Sequence, residues 1–513
     1  MSETVAGRRY QPEVTTRFTV HDLLRRRAEL QPDRVALNVD DGETMTYGEW
    51  DRRSNALVHG LIAAGVTAGH VVGLRYDDLD WLDYAVAYIG TLKAGATAVH
   101  LNRGVGDEET LRRLAWCRAV AVVHGAGNPP PAEFSGRTGT VADLSVDDTG
   151  AVPVEVAVTD ISDILFTSGT TGLAKASTSP HGNLTHGRGP EGFYLFGDPE
   201  PLLTPMPLGT TASATTMNFS IHTPSTLVLC PTDDPERMAV LIEKFRIGSV
   251  MITPWLAIQL LRSGAGRKYD LSCVETVANA STALPPAVAR GLLEIMPNAR
   301  LNMSYAASEA VPASIGHTFD PANPMATGRP VRKTEIRIAG PEGEELPAGE
   351  LGEIWLRSPA PKRYYYDNPQ LNEQVHVDRW TRTGDLGRLD DTGMLYFFDR
   401  RNVAIRTATG LVSTIAVEAA LYEHDAVEEA AVFGVGPEGQ QEIVAAVVLS
   451  DPVASSVAAT VREQLPTDQV PARIHLVESM PRSANGKVLK HVLAERITAG
   501  EHPVLTTVYP AEV

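Results

Sequence analysis

From Val20 onward, apolar positions recur first with a helical and then with a strand period. Leu23, Leu24 and Ala28 fall on one side of a helix over Val20–Leu30, because positions three and four apart share a helix face. Val35–Val39 reads as a strand, and Thr46-Tyr47-Gly48-Glu49 opens a helix to about Ala64. The alternation goes on with strands at Val71–Tyr76, 97–101 and 119–124, and helices at Trp81–Lys93 and 108–117. Strands separated by helices of this length imply parallel βαβ units, since a parallel pair needs a long crossover. Residues 125–150 are rich in Gly, Pro and Asp and read as a surface connection. The apolar run 164–166 is a buried strand, and a second α/β block follows over about 201–323, with strands near 226–229 and 248–252. The style changes at 330–361, where 335–338 and 352–356 flank Gly-Pro-Glu-Gly-Glu-Glu and predict antiparallel strands of a small β region. Beyond about 402 a compact α+β segment is expected. Its helices are 415–422 and 455–465, its strands 427–434, Glu442–Leu449 and 473–477, and a polar loop follows at 481–487.

A chain of 513 residues has room for several such units. Its formal charge of −18, from 63 acidic and 45 basic residues, argues against a nucleic-acid or anionic-membrane binder. A locally basic site for a small anion stays open. Cys117, Cys230 and Cys273 are far apart, which gives neither a disulfide framework nor a metal knuckle and fits a reducing cytoplasm. Residues 1–16 are polar, with no apolar segment of a signal peptide, and no stretch is apolar for long enough to span a bilayer. The abundance of Ala, Arg, Val and Gly fits a GC-rich bacterial source and specialised metabolism, antibiotic biosynthesis included.

Candidate chemistry begins after the strand at 164–166. The chain runs into Thr167, Ser168, Gly169, Thr170, Thr171 and Gly172, then Lys175. Successive backbone N–H groups and small hydroxyls can wrap a polyphosphate, because glycine lets the main chain approach closely. The lysine adds a mobile positive charge. The order is not the Walker one, which needs Gly-Lys-Ser/Thr. On these residues alone, a phosphate cradle and an ordinary Ser/Thr/Gly turn both stay open.

Six stretches in order, 167–175, 305–309, 349–357, 383–385, 399–400 and 481–487, resemble the motifs of the adenylate-forming superfamily. That superfamily includes acyl-CoA synthetases, adenylation domains of peptide synthetases and beetle luciferases. The resemblance implies an α/β fold: a large N-terminal domain over 1–400, built from two doubly wound α/β subdomains plus a small β-barrel subdomain, and a small mobile α+β domain over 401–513. It also implies two half-reactions. A carboxylate attacks the α-phosphate of ATP, then the thiol of coenzyme A or of a carrier pantetheine displaces AMP. Glu309 would hold Mg²⁺, Ser308 would contact the α-phosphate and Tyr305 would stack on adenine. Asp385 would accept from both ribose hydroxyls, and Arg400 would reach the ribose. Lys487 would bridge carboxylate and α-phosphate during adenylation. The small domain would then swing and bring the loop at 406–410, led by Arg406, over the site. Trp255, Asn218, Ala306 and the loop Ala280, Ser281, Thr282 would line the acid's pocket.

Several positions depart from the pattern. The usual Ser-Gly-Gly-Ala-Pro reads Asn279-Ala280-Ser281-Thr282-Ala283, and Tyr-Gly-x-Thr-Glu reads Tyr305-Ala306-Ala307-Ser308-Glu309. Pro-Leu-Phe-His reads Pro207-Leu208-Gly209-Thr210, and Pro-Lys-Gly reads Ala174-Lys175-Ala176. Asn402 replaces the usual Asp or Lys, and Gly-Gly of the following loop reads Ala408-Thr409, with Gly410 one place late. The resemblance points to a stand-alone acyl-CoA ligase for a bulky or unusual acid. Three rivals remain: a thioesterifying enzyme fed acyl-adenylate by a separate adenylating enzyme, an adenylating enzyme that loads a carrier protein, and a non-catalytic nucleotide binder. The acid and the oligomeric state, homodimer included, stay open.

Overall fold

The computed structural model describes residues 18–77, 80–102, 104–167, 175–189, 201–223, 225–231, 234–279, 281–451, 454–483, 486–502 and 504–507. Two large sheets share the first part of the chain and interleave along it. In the seven-stranded sheet, Thr97–Asn102 runs parallel between Val71–Tyr76 and Ile161–Thr167, and Ala121–His124 and Arg137–Gly139 extend it. Lys175–Pro180 returns antiparallel along Ile161–Thr167, so Thr167 stands opposite Lys175. Tyr364–Tyr365 closes that edge.

Val35–Val39 precedes all of these strands yet belongs to the nine-stranded sheet, with Leu37 opposite Leu227. Leu227–Leu229, Leu202–Thr204, Ser249–Ile252, Thr276–Asn279 and Arg300–Tyr305 continue that sheet in parallel. Ser314–Thr318 and Arg329–Val331 extend it antiparallel at one edge, and Thr44–Thr46 pairs antiparallel with Val35–Val39 at the other. Val71–Tyr76, Thr97–Asn102 and Ser249–Ile252 are buried along most of their length, which is why they are largely apolar. The helices Val20–Leu30, Tyr47–Ala63, Trp81–Lys93 and Thr211–His222 share one core, in which Trp50, Trp81, Tyr84 and Tyr88 are fully buried. The Trp50 indole donates to Ala85 O at 2.9 Å, which lets so large a polar-tipped ring sit there.

The connection at 125–150 is not all surface. It holds Arg137–Gly139 and the short helix Val141–Leu144, whose Val141 and Leu144 are buried. A Cβ on Gly60 would lie 1.5 Å from Leu144 O, so the helix Tyr47–Ala63 offers a glycine where this segment docks. The two antiparallel strands expected after Pro330 are Glu335–Ala339 and Gly352–Arg357, with Ile338 opposite Ile354. Three more strands join them: Trp380–Leu389 beside Gly352–Arg357, then His376–Val377 and Leu395–Arg400 on its two halves.

The last part of the chain forms a four-stranded sheet of Val427–Val435, Glu442–Leu449, Arg473–Leu476 and Val504–Thr507. Strand alternation divides its side chains between two cores. Ala430 and Val432 pack with Val417 and Leu421 of the helix Thr414–Tyr422, while Ala431 and Phe433 pack with Leu493 and Ile497 of Lys490–Thr498. This is the mixed α/β architecture that the resemblance implies. No helix among the described residues is long and apolar enough to cross a membrane.

Candidate active site

Strands of a parallel sheet aim their carboxyl ends at one side, and ligands of open α/β folds bind there. Thr276–Asn279 and Arg300–Tyr305 both end on a cavity of about 3140 Å³. A single small-molecule site needs only ~300–1,000 Å³, so the space admits several groups at once. The structure brings Lys175, Tyr305, Ser308, Glu309, Asp385 and Arg400 to its wall. Lys487, Arg406, Trp255, Ser281, Thr282 and Ala306 join them. Thr167 ends its strand opposite Lys175. Ser168, Gly169, Thr170, Thr171, Gly172 and Ala280 lie outside the described residues.

Asp385 is 3% exposed. Its Oδ2 accepts from the Tyr305 hydroxyl at 2.8 Å, and the Tyr305 ring lies 5.4 Å from that of Phe397. Its Oδ1 is buried without a hydrogen-bond partner, although Arg400 Nε stands 3.4 Å away. Burial pushes the Asp385 carboxyl up to about 6, against the opposing pull of Arg400 and Tyr305. A buried acceptor left open in a cavity wall is matched by a ligand hydroxyl.

Lys487 is half-buried on the same cavity. Burial lowers its ammonium pKa, as does the nearby Arg400 charge, while Asp385 opposes them. Glu309 accepts from the Tyr365 hydroxyl, and the Lys175 ammonium lies 5.5 Å from the centre of that ring. Behind them sits Arg363, fully buried, with its pKa pulled down to about 10 by burial against the favourable charges of Asp163 and Glu309. Its Nε donates to Asn183 Oδ1 at 2.9 Å. Sequence reasoning missed Tyr365 and Arg363, and no spacing in the chain links them to residue 309.

One expectation changes. Asn218 does not line the cavity. It is 2% exposed and donates to Ala214 O at 2.8 Å and to the Tyr88 hydroxyl at 3.4 Å. It belongs to a buried polar network in which His100 Nε2 lies 3.0 Å from Asp163 Oδ1 and Tyr88 donates to Asp163 Oδ2. A buried amide needs such partners, which an apolar pocket wall lacks. On the cavity wall the Arg406 guanidinium is held locally: Nη1 donates to Arg401 O at 3.0 Å and Nε pairs with Glu438 at 3.0 Å.

The departures from the motifs have structural counterparts. Gly209 holds φ at +74°, and a Cβ there would lie 2.5 Å from the backbone of Leu101 and Asn102. The segment therefore crosses the end of a strand at a distance only glycine allows. Ser281 keeps φ at +83° although it is not glycine. We expect Ser281→Gly to raise Tm by ~1–2 °C, because a left-handed residue costs ~1–2 kcal/mol and glycine returns only part of that in chain entropy. A thermal melt checks this; a lower Tm would mean that the serine hydroxyl makes contacts worth more than the strain.

Residues 24–366 match the AMP-binding enzyme family, and residues 416–487 match the AMP-binding enzyme C-terminal domain. A 4-coumarate–CoA ligase of Oryza sativa subsp. japonica is 28% identical over 519 residues, covering 94% of this chain and 95% of its own. A feruloyl-CoA synthase of Amycolatopsis sp is 28% identical over 497 residues, covering 92% and 97%. Among solved structures, the amide bond synthetase McbA from Marinactinospora thermotolerans superposes with a TM-score of 0.78 at 25% identity, covering 93% of this chain and 99% of its own. The anthranilate CoA ligase AuaEII in complex with anthranoyl-AMP shares the fold, with a TM-score of 0.82 at 22% identity, covering 95% and 99%. With its two family regions in order and residues of five of the six motifs on one cavity, the chain belongs to the AMP-binding enzymes, the adenylate-forming superfamily.

Proposed function

We propose that this protein is an AMP-forming acyl-CoA ligase for an aromatic carboxylic acid. One observation carries the reading: Lys487 shares its cavity with Asp385, whose Oδ1 is a buried acceptor without a hydrogen-bond partner. Asp385 and Tyr305 seat the ribose and adenine of ATP. A carboxylate oxygen of the acid attacks the α-phosphorus, the bond to the departing pyrophosphate breaks, and Lys487 neutralises the charge that gathers on the transferred group. Glu309 would hold Mg²⁺. Its carboxylate on the cavity wall suits an ion bound by one side chain, phosphates and water. When bound, the ion draws charge off the leaving pyrophosphate. In the second step residues 401–513 turn about a hinge after Arg400. The CoA thiol loses its proton, its sulfur bonds the acyl carbon, and AMP leaves. Met206, Phe219 and Met251 form an apolar cluster on the cavity wall, and relatives named for 4-coumarate and ferulate support an aromatic acid.

A paired assay read by mass spectrometry tests the reading. One arm holds Mg-ATP, CoA and a panel of hydroxycinnamic, benzoic and polycyclic acids; the other holds the matching acyl-adenylates and CoA without ATP. Acyl-CoA in both arms is the expected outcome. Acyl-CoA from adenylates alone would mean that the altered loops have lost the first step and a separate enzyme supplies the adenylate. An amine or a carrier pantetheine in place of CoA separates the other acceptors. No product in any arm, with nucleotide still bound, would overturn the enzyme reading.

A further inference from the structure

Arg482 opens the loop that ends in Lys487, and its guanidinium makes three contacts at once. Nη1 donates to Gly486 O at 2.7 Å, closing the loop beside Lys487. Nη2 is paired with Glu429 on the strand Val427–Val435. The guanidinium carbon lies 5.7 Å from the centre of the Trp255 ring on the helix Pro254–Arg262. Gly486 packs on the same ring, where a Cβ would stand 3.9 Å away. Backbone bonds brace the loop, with Ser483 N donating to Lys487 O and Gly486 N to Ser483 O, both at 2.9 Å.

Glu429 is shared with the helix that carries Trp255. Arg262 Nη1 donates to its Oε1 at 3.2 Å and Gln259 Nε2 at 3.4 Å, while the other Arg262 nitrogen pairs with Glu428. The Glu429 and Arg482 side chains are only 10% and 20% exposed. Exposed ion pairs contribute little, but a charge-assisted contact shielded from water is stronger and directional.

We propose that Arg482 is the positioning residue of Lys487: held by Glu429, it lies over the Trp255 ring and fastens the lysine loop to the larger part of the chain for the adenylation step. The inference rests on the role given to Lys487 above. A lysine is a point charge on a flexible stem, so its effect depends on where its loop is held. Misplacing a catalytic group by about 1 Å costs on the order of 100-fold. Arg482 and Glu429 move together with residues 401–513, whereas Trp255, Gln259 and Arg262 stay behind. Of the contacts that Arg482 and Glu429 make, the swing to the thiol step therefore breaks those with that helix and keeps those within the small domain. The dependence on Arg482 is confined to the first half-reaction.

The test combines hydrogen–deuterium exchange of the ligand-free full-length protein with the two half-reactions, for Arg482→Ala, Arg482→Lys and Arg262→Ala. In Arg482→Ala, the amides of peptides spanning 483–489 are expected to exchange at least about fivefold faster. Acid-dependent ATP–pyrophosphate exchange should fall ~10–100-fold, and thioester formation from synthetic acyl-adenylate less than about threefold. Arg482→Lys keeps the charge but cannot reach Gly486 O and Glu429 together, so it should restore part of the loss. Arg262→Ala should move both readouts the same way by less. Unchanged exchange at 483–489 in Arg482→Ala overturns the proposal, as does an equal fall in both half-reactions. If the wild-type protein performs neither half-reaction, the ligase reading falls, and the deuterium exchange alone decides whether Arg482 fastens the loop.

Discussion

Lys487→Ala is expected to lower acid-dependent ATP–pyrophosphate exchange by ~10²–10³-fold, the usual loss when a charge aimed at the transition state is removed. The same variant should convert synthetic acyl-adenylate and CoA to acyl-CoA within a few-fold of wild type. The argument starts from position. Lys487 faces a cavity that also holds Asp385 and Arg400, and burial with the Arg400 charge lowers its pKa. An ammonium held there finds little water to screen it, so negative charge developing on the α-phosphate is met at short range. Once the adenylate exists that charge is no longer forming, and the lysine has nothing to stabilise. Isotope exchange and mass spectrometry read the two steps separately. Equal losses in both would make Lys487 a structural residue of its loop and sink the assignment. Lys487→Arg is expected to restore little of the loss, because a guanidinium fork is wider and presents a different geometry.

Asp385→Asn is expected to weaken AMP binding by ~10–100-fold, since a hydrogen bond to a charged group contributes ~1.5–3 kcal/mol. The wild-type affinity should also depend on pH in a way the variant lacks. Burial holds the Asp385 carboxyl near 6, and ribose hydroxyls donate best to the ionised form. Affinity should therefore fall as pH drops through about 6 and level off above 7. The folding term has a defined sign as well. The folded-state value lies above the ordinary 3.8, so the folded protein holds this proton more tightly than the unfolded chain. Stability from this group is present below 3.8 and is lost as pH rises through about 6; Asp385→Asn removes that loss. Titration calorimetry with AMP between pH 5 and 8 checks the binding term. A pH-independent wild type would mean that Arg400, 3.4 Å from Oδ1, keeps the carboxylate ionised throughout.

Much of this was legible along the chain. Helices such as Val20–Leu30 and strands such as Val71–Tyr76 appear where the apolar period places them, because burial of one face is a local property of spacing. The order of the six motifs identified the superfamily. Position in the fold was not legible. Val35–Val39 precedes Val71–Tyr76 yet pairs with Leu227–Leu229 in the other sheet, since strand pairing is set by packing between distant segments. Asn218 reads as well for a pocket as for a core, and only its contact with Tyr88 sends it inward. Tyr365 meets Glu309, and Arg482 meets Trp255 and Glu429, across stretches that no spacing connects. By itself the sequence determined many of the helices and strands, the superfamily and the residue types at its motifs. The tertiary structure alone decided which of those side chains share a space and which partners hold them, because hydrogen bonds and ion pairs act over a few ångströms and their partners come together only when the chain has folded.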